Sequence, residues 1–184
     1  MTPTLWIIAA VAVVFVLAIV AIYNRLVALA RRCDQSASDI DVQLKQRHDL
    51  IPSLVETVKG YATHERATLE EVMRARSAAT AAPSAGAEAA LSGALGRLLA
   101  VAEAYPDLKA NQNFLELQKQ LDDIENKLAA ARRFFNNAAA EYNATRESFP
   151  AVLFSGALGF SVQDFFNLGE GERNVVEVVN ETKL

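Results

Sequence analysis

The chain has 184 residues, a formal net charge of −4, one cysteine and two histidines. That length holds one modest domain and an appendage. A lone cysteine excludes an intrachain disulfide framework and suits a reducing compartment, and the acidic balance leaves no footprint for nucleic acid.

The appendage comes first. From Leu5 to Ile22 the chain reads LWIIAAVAVVFVLAIVAI, without a charge or a strong polar group. As a helix this run spans about 27 Å, against a hydrocarbon core of about 30 Å. Trp6 and Tyr23 stand at its two ends, where amphipathic rings prefer the interface. A signal peptide fits less well, because no basic region precedes the run and no small-residue cleavage site follows it. The expected division is a stub at 1–4 outside, a membrane helix at 5–23, a bundle domain at 24–166 and an extended or disordered tail at 167–184. Arg25, Arg31 and Arg32 follow the span closely, which places the N-terminus outside and the bundle in the cytoplasm.

After the span, Ile40, Leu44, Ile51, Val55, Val58, Ala62, Leu69 and Val72 recur mainly at three- and four-residue steps, a helical stripe. Between Tyr23 and Arg76 only Pro52 and Gly60 interrupt it, so the membrane helix is expected to run on into the bundle. Residues 79–90, ATAAPSAGAEAA, read as a turn or flexible loop. A second helix fits 87–104, and Pro106 ends it. Asn113 followed by Glu116 resembles a capping box opening a third helix. Its stripe is Leu117, Leu121, Ile124, Leu128, Ala131, Phe135, Ala138 and Tyr142. AVLFSGALGF adds a short fourth helix broken at Gly156 and Gly159. With no strand-rich region, the fold class is all-α: an antiparallel helical bundle on a membrane helix.

Both histidines fall on the first long helix, so a metal or acid/base centre has to be tested. His48 lies at the edge of the apolar stripe and His64 on the outside. On a continuous helix they stand about 24 Å apart. His64-Glu65 is followed by Thr68 where a zincin needs its second histidine. Lys45 and Tyr61 stand where a di-iron bundle needs glutamates. Cys33 has no histidine near it in sequence, and the glycines form no phosphate loop. Catalytic residues, metal ligands and cofactors are therefore none, and the chain reads as non-enzymatic.

The polar stripe of Asp41, Lys45, His48, Pro52, Glu56 and Lys59 reads in two ways, as a solvated flank or as a partner surface. Arg47 falls inside the apolar stripe, and a buried arginine demands a carboxylate or carbonyl. Pro52 removes the hydrogen bond to the carbonyl of His48, which predicts a kink and a carbonyl free to be capped by a neighbour. If the second helix returns toward the membrane, residues 109–114 lie beside residues 45–52. Arg47, His48, Asp49, Pro52, Asn111 and Asn113 then form one polar corner for partner or self-contact.

The segments YNRLVALARRCDQSASDIDVQLKQRHDLIPSLVETVKGYATHE and YPDLKANQNFLELQKQLDDIENKLAAARRFFNNAAAEYN, with the later FP, GF and FF, resemble the LemA family of bacterial membrane proteins. The likeness runs from about Tyr23 to Phe166. Ala37 stands where an aromatic is expected, and Cys33 and the alanine-rich segment are further departures. The resemblance implies a helical bundle on an N-terminal anchor at the bacterial inner membrane, without catalytic activity, and one branch of the family is associated with magnetosome membranes.

Two readings of function follow. The leading one is a membrane scaffold whose partners are the lipid bilayer and further copies of itself. Small-residue faces at Ala129–Ala131 and Ala138–Ala140 favour lateral packing into a homo-oligomer. The second is an adaptor that presents the bundle to another membrane protein, such as a protease or a signalling kinase.

Overall fold

The computed structural model describes residues 3–166, so the tail expected at 167–184 lies outside the described residues. Five α-helices follow in chain order: α1 (Pro3–Lys59), α2 (Arg66–Ala81), α3 (Ala85–Glu103), the single turn α4 (Pro106–Lys109) and α5 (Gln112–Glu147). A 3-10 turn covers Ala151–Leu153, and no strand occurs among the described residues. The described residues divide into two compact units, and both α1 and α5 contribute to each.

One unit comprises residues 41–129. Its core joins Ile51, Leu54 and Val58 of α1 to Leu69, Val72 and Ala79 of α2, and to Leu91, Ala94, Leu95, Leu98 and Ala102 of α3. The steps of three and four within each set put one apolar face inward. α1 stops at Lys59, ahead of Gly60, whose helix propensity is the poorest after proline. The chain then turns through 60–65 about the fully buried Ala62. Of the two interruptions expected between Tyr23 and Arg76, Gly60 divides the stripe into two helices while Pro52 stays inside α1, and His64 sits in the turn between the helices. Only residues 82–84 separate α2 from α3, because Ser84 caps α3 by accepting a hydrogen bond from the Ala87 amide at 3.1 Å. Most of the expected loop at 79–90 is thus helical.

α4 opens with Pro106 at its first turn, where a missing N–H costs nothing, and buries Leu108. The cap of α5 is Asn111, not Asn113: its Oδ1 accepts from the Phe114 amide at 3.0 Å. In this unit α5 pairs antiparallel with α1, since Arg47 meets Glu125 and Tyr61 meets Asn111.

The other unit comprises α1 as far as Ile40 and residues 130–166. Leu26, Leu29 and Cys33 pack against Ala138, Ala139 and Tyr142, with Phe160 and Phe135 at the margin. Glu141 bridges Arg25 at 3.7 Å and Arg32 at 2.8 Å. Beyond α5 the expected fourth helix is instead the 3-10 turn and a set of tight turns. Gly159, at φ +82°, reverses the chain there, a conformation that glycine adopts without steric cost.

From Phe160 to Phe166 the backbone has no regular secondary structure, and α5 side chains supply many of its hydrogen bonds. Asn143 and Asn136 each make a two-way amide pair, with the backbone of Gln163 and of Phe166. The Tyr142 hydroxyl donates to the Ser161 carbonyl at 2.8 Å, and Arg146 Nε donates to the Phe160 carbonyl at 3.0 Å.

The N-terminal stretch of α1 is a candidate membrane span. α1 near its N-terminus has an 18-residue window of mean hydropathy 3.2, none of it buried. Trp6 is 68% exposed, as are most of the large apolar side chains to Val20 at about half or more of their area.

Cys33 is fully buried. Burial above all, and the Asp34 carboxylate next, push its thiol above the ordinary range, and Arg32 opposes them only in part. Burial likewise raises the Tyr142 hydroxyl, which lies in the same cluster. A folded-state pKa above the unfolded value means that the native state holds the proton longer. Stability is then fully present below the unfolded thiol value of about 8.5 and declines as pH rises toward the higher folded value. Hydrogen exchange of peptides from 26–40 should accordingly accelerate beyond the intrinsic base-catalysed increase above that pH, and Cys33→Ala should remove the thiol's share. Maleimide should modify Cys33 only after unfolding.

Candidate functional site

Among the described residues, the most buried charged groups meet in the unit of residues 41–129. Arg47 is 1% exposed and Glu88 5%. Arg47 Nη1 donates to Glu88 Oε2 at 3.4 Å and Nη2 donates to Ser92 Oγ at 2.6 Å. Its Nε lies 2.9 Å from Glu125 Oε1, an ionic contact off the line of the N–H bond. His48 Nε2 lies 2.9 Å from the other oxygen of Glu88, so both carboxylate oxygens are engaged. The Thr80 hydroxyl approaches His48 Nδ1 at 3.4 Å and donates to the Arg76 carbonyl at 2.9 Å. Four helices are thereby tied at one place: α1 by Arg47 and His48, α2 by Thr80, α3 by Glu88 and Ser92, and α5 by Glu125.

Pro52 stays inside α1. The carbonyl that its missing N–H would have satisfied belongs to His48, and Arg76 Nε donates to that oxygen at 2.6 Å. The expected cap on a freed carbonyl is therefore present, supplied from α2. A guanidinium is well suited to this task, because its charge strengthens the bond to a backbone oxygen.

The six residues expected to share one corner are distributed differently. Arg47 and His48 are buried against partners of their own chain. Asp49 is exposed and lines a groove of about 450 Å³ with Asp123 and Lys127 of α5. Pro52 is half-buried, Asn113 is exposed, and Asn111 caps α5 while its Nδ2 donates to the Tyr61 hydroxyl at 2.8 Å. The corner does not form because α2 and α3 make an excursion of their own. α5 then pairs directly with α1, in a register that sets Asn111 opposite the end of α1, not opposite residues 45–52. Of the anchor residues, Tyr23 stacks edge-on to Phe160 with centroids 5.6 Å apart, and Arg25 reaches Glu141.

Sequence reasoning named Arg47 and required a carboxylate for it, but missed Glu88, Ser92, Arg76, Thr80 and Glu125. One signal was available. Glu88 is the sole charged residue between Arg76 and Arg97, a carboxylate isolated in alanine-rich helix.

Chemically the cluster is a clamp. Both oxygens of the Glu88 carboxylate are engaged, and Arg47 is held by Glu88, Ser92 and Glu125. A second cavity of about 450 Å³ beside it is lined by Asp41, Lys45, His48 and Arg76 among others. Among the described residues, no group of three or more His, Cys, Asp or Glu side chains is placed to hold a metal.

A helical bundle with a long outward-facing apolar helix defines the class: this is a membrane-associated helical protein. The chain belongs to the LemA family, whose model matches residues 36–179. It is similar to the magnetosome protein MamQ of Magnetospirillum gryphiswaldense, 24% identical over 185 residues that cover 84% of this chain and 68% of that protein. Magnetosome proteins MamQ 1 and MamQ 2 of Paramagnetospirillum magneticum are 24% identical over 184 residues, again 84% of this chain and 68% of each relative.

Removing one member of a buried ion pair leaves an uncompensated charge, which costs about 3–5 kcal/mol. Glu88→Ala should lower stability by that order, read as faster hydrogen exchange across α2 and α3. Arg47→Met combined with Glu88→Met should cost less than either single change. A separate cycle tests the Pro52 carbonyl. Arg76→Met strands it, at about 1–3 kcal/mol, but in a Pro52→Ala background the restored amide satisfies it and the loss should shrink. Equal losses in the two backgrounds would show that Arg76 acts elsewhere.

Proposed function

We propose that this chain is a single-pass, membrane-anchored scaffold that self-associates at the bacterial inner membrane and serves membrane organisation or remodelling. The observation that carries the reading is that α1 runs unbroken from an apolar, wholly outward-facing stretch into the helical bundle. An anchor of that kind holds the bundle at the bilayer in a limited set of orientations and raises its local concentration, so that weak lateral contacts count. Arg25, Arg31 and Arg32 after the span support a cytoplasmic bundle. The relatives named as magnetosome proteins support a membrane-associated task. The reading assigns the chain no catalytic step, consistent with a clamp whose polar groups are spent on one another.

The surface for self-contact is narrower than the sequence suggests. Ala138 and Ala139 are buried against α1, so that alanine run serves packing within the chain. Phe134 remains 61% exposed, with Ala130 exposed one turn before it. These residues are the better candidates for contact between copies.

Native mass spectrometry from lipid nanodiscs and from mild detergent tests the proposal. A defined oligomer in lipid, reduced toward monomer by Phe134→Asp with helicity unchanged, is the expected result. A strictly monomeric particle in both media would overturn it. Stoichiometric recovery of one different membrane protein, without self-association, would favour the adaptor reading instead.

A further inference from the structure

The segment from Ser148 to Gln163 carries no charged side chain. Its apolar residues face outward: Phe149 is 81% exposed, Leu153 64%, Val152 51% and Leu158 40%. Two of its small residues turn inward, whereas Ser148, Gly156, Ala157, Gly159 and Ser161 are exposed. Ser155 and Ala151 are buried, and the Ser155 hydroxyl donates to the Arg146 carbonyl at 3.4 Å. A water-facing loop has the opposite arrangement.

Where this segment lies along α1 is set by two aromatic contacts within the same unit. Phe160 stacks on Tyr23, and Phe154 stacks edge-on to Phe15 with centroids 6.0 Å apart. Tyr23 closes the apolar run, whereas Phe15 lies eight residues before it, about 12 Å along a helix. The tip therefore sits beside the membrane span, about four-fifths of the way across one leaflet of a core about 30 Å thick.

We infer that residues 149–158 form a wedge that enters the acyl region of the leaflet on the bundle side, alongside α1. The backbone is suited to that environment, where unpaired amides are costly. Val152, Leu153, Phe154, Ser155, Leu158, Gly159 and Phe160 all donate their amides to carbonyls within 148–156. The base of the wedge is polar: Tyr142 and Arg146 hold the Ser161 and Phe160 carbonyls, and Arg25 and Arg32 pair with Glu141 at the neighbouring level of α1. Cations, an aromatic pair and then an uncharged tip follow in the order that the headgroups, interface and hydrocarbon of a leaflet require. The occupant of the exposed apolar surface is thus lipid acyl chain, continuous with the lipid around α1.

The inference rests on α1 spanning the bilayer, and depth-dependent quenching tests the two separately. The full chain, in a Cys33→Ala background, receives a fluorophore at Leu153→Cys, at Val152→Cys, at Ala12→Cys in the span or at Thr63→Cys in the turn after α1. It is then reconstituted into phosphatidylcholine–phosphatidylglycerol vesicles. Mid-chain nitroxide lipid should quench positions 12, 152 and 153 several-fold more than aqueous iodide does, with the reverse at position 63. Iodide quenching at 152 and 153 while position 12 responds to lipid overturns the wedge and leaves the span standing. Iodide quenching at position 12 as well overturns both. Shielding of 152 and 153 from both quenchers overturns the wedge in favour of contact between copies.

Discussion

A buried guanidinium organises the helices of residues 41–129. Arg47 lies on the face of α1 that also carries Ile51 and Leu54, so packing that face against anything desolvates its charge. The cost is several kcal/mol unless partners surround the ion, and no single helix can supply them all. Glu88 and Ser92 arrive on α3, and Glu125 arrives on α5. The α2–α3 hairpin must therefore fold back to the level of Arg47, and α5 must pair with α1 in one register. Apolar packing alone tolerates sliding of such alanine- and leucine-rich helices. A buried charge with fixed partners penalises every other register, because each would leave the ion or the carboxylate unpaired.

The same level of α1 carries a second backbone constraint. Pro52 withdraws a hydrogen bond from His48, and a proline inside a helix ordinarily costs about 3 kcal/mol or more. Arg76 offsets part of that cost by donating to the exposed carbonyl. His48 is then held by its carbonyl to α2 and by its ring to Glu88 of α3. The polar residues that resemble an acid/base centre along the sequence are therefore a device for joining helices. Two histidines never had to meet for this, and His64, outside in a turn, takes no part.

Helix existence was legible wherever large apolar residues recur at three and four, as in the span and the Leu117–Leu128 run. Boundaries were less so. The stripe through Val58, Ala62 and Leu69 keeps helical spacing across a turn, since Ala62 is buried from either conformation. Asn113 and Asn111 are both plausible caps by residue type, and only the Phe114 amide distinguishes them. The demand of Arg47 for a carboxylate was readable because burial of a charge is a local inference from the stripe. Which carboxylate answers it depends on the excursion of α2 and α3, and that is a property of the tertiary fold. The small residues around Glu88 hid the partner, because a segment with little apolar volume looks like a loop until a charged neighbour gives it a place to pack.

The C-terminal part of the described chain shows how irregular backbone can be held by the side chains of a neighbouring helix. A strap of irregular backbone such as residues 160–166 leaves its amides and carbonyls unpaired unless side chains supply partners. Here Asn136 and Asn143, seven residues apart on α5, stand on one face of the helix and act as peptide surrogates. Each donates to a carbonyl and accepts from an amide of the strap. Tyr142 and Arg146 complete the set, so the polar work is done by side chains anchored in α5. The preceding turns satisfy much of their own backbone and turn apolar side chains outward. Exchanging the two halves would fail, because the strap needs α5 amides that have no counterpart along the apolar run of α1. The order of α5, uncharged turns and strap is thus the one in which the self-satisfied part reaches the apolar helix and the dependent part stays with its donors.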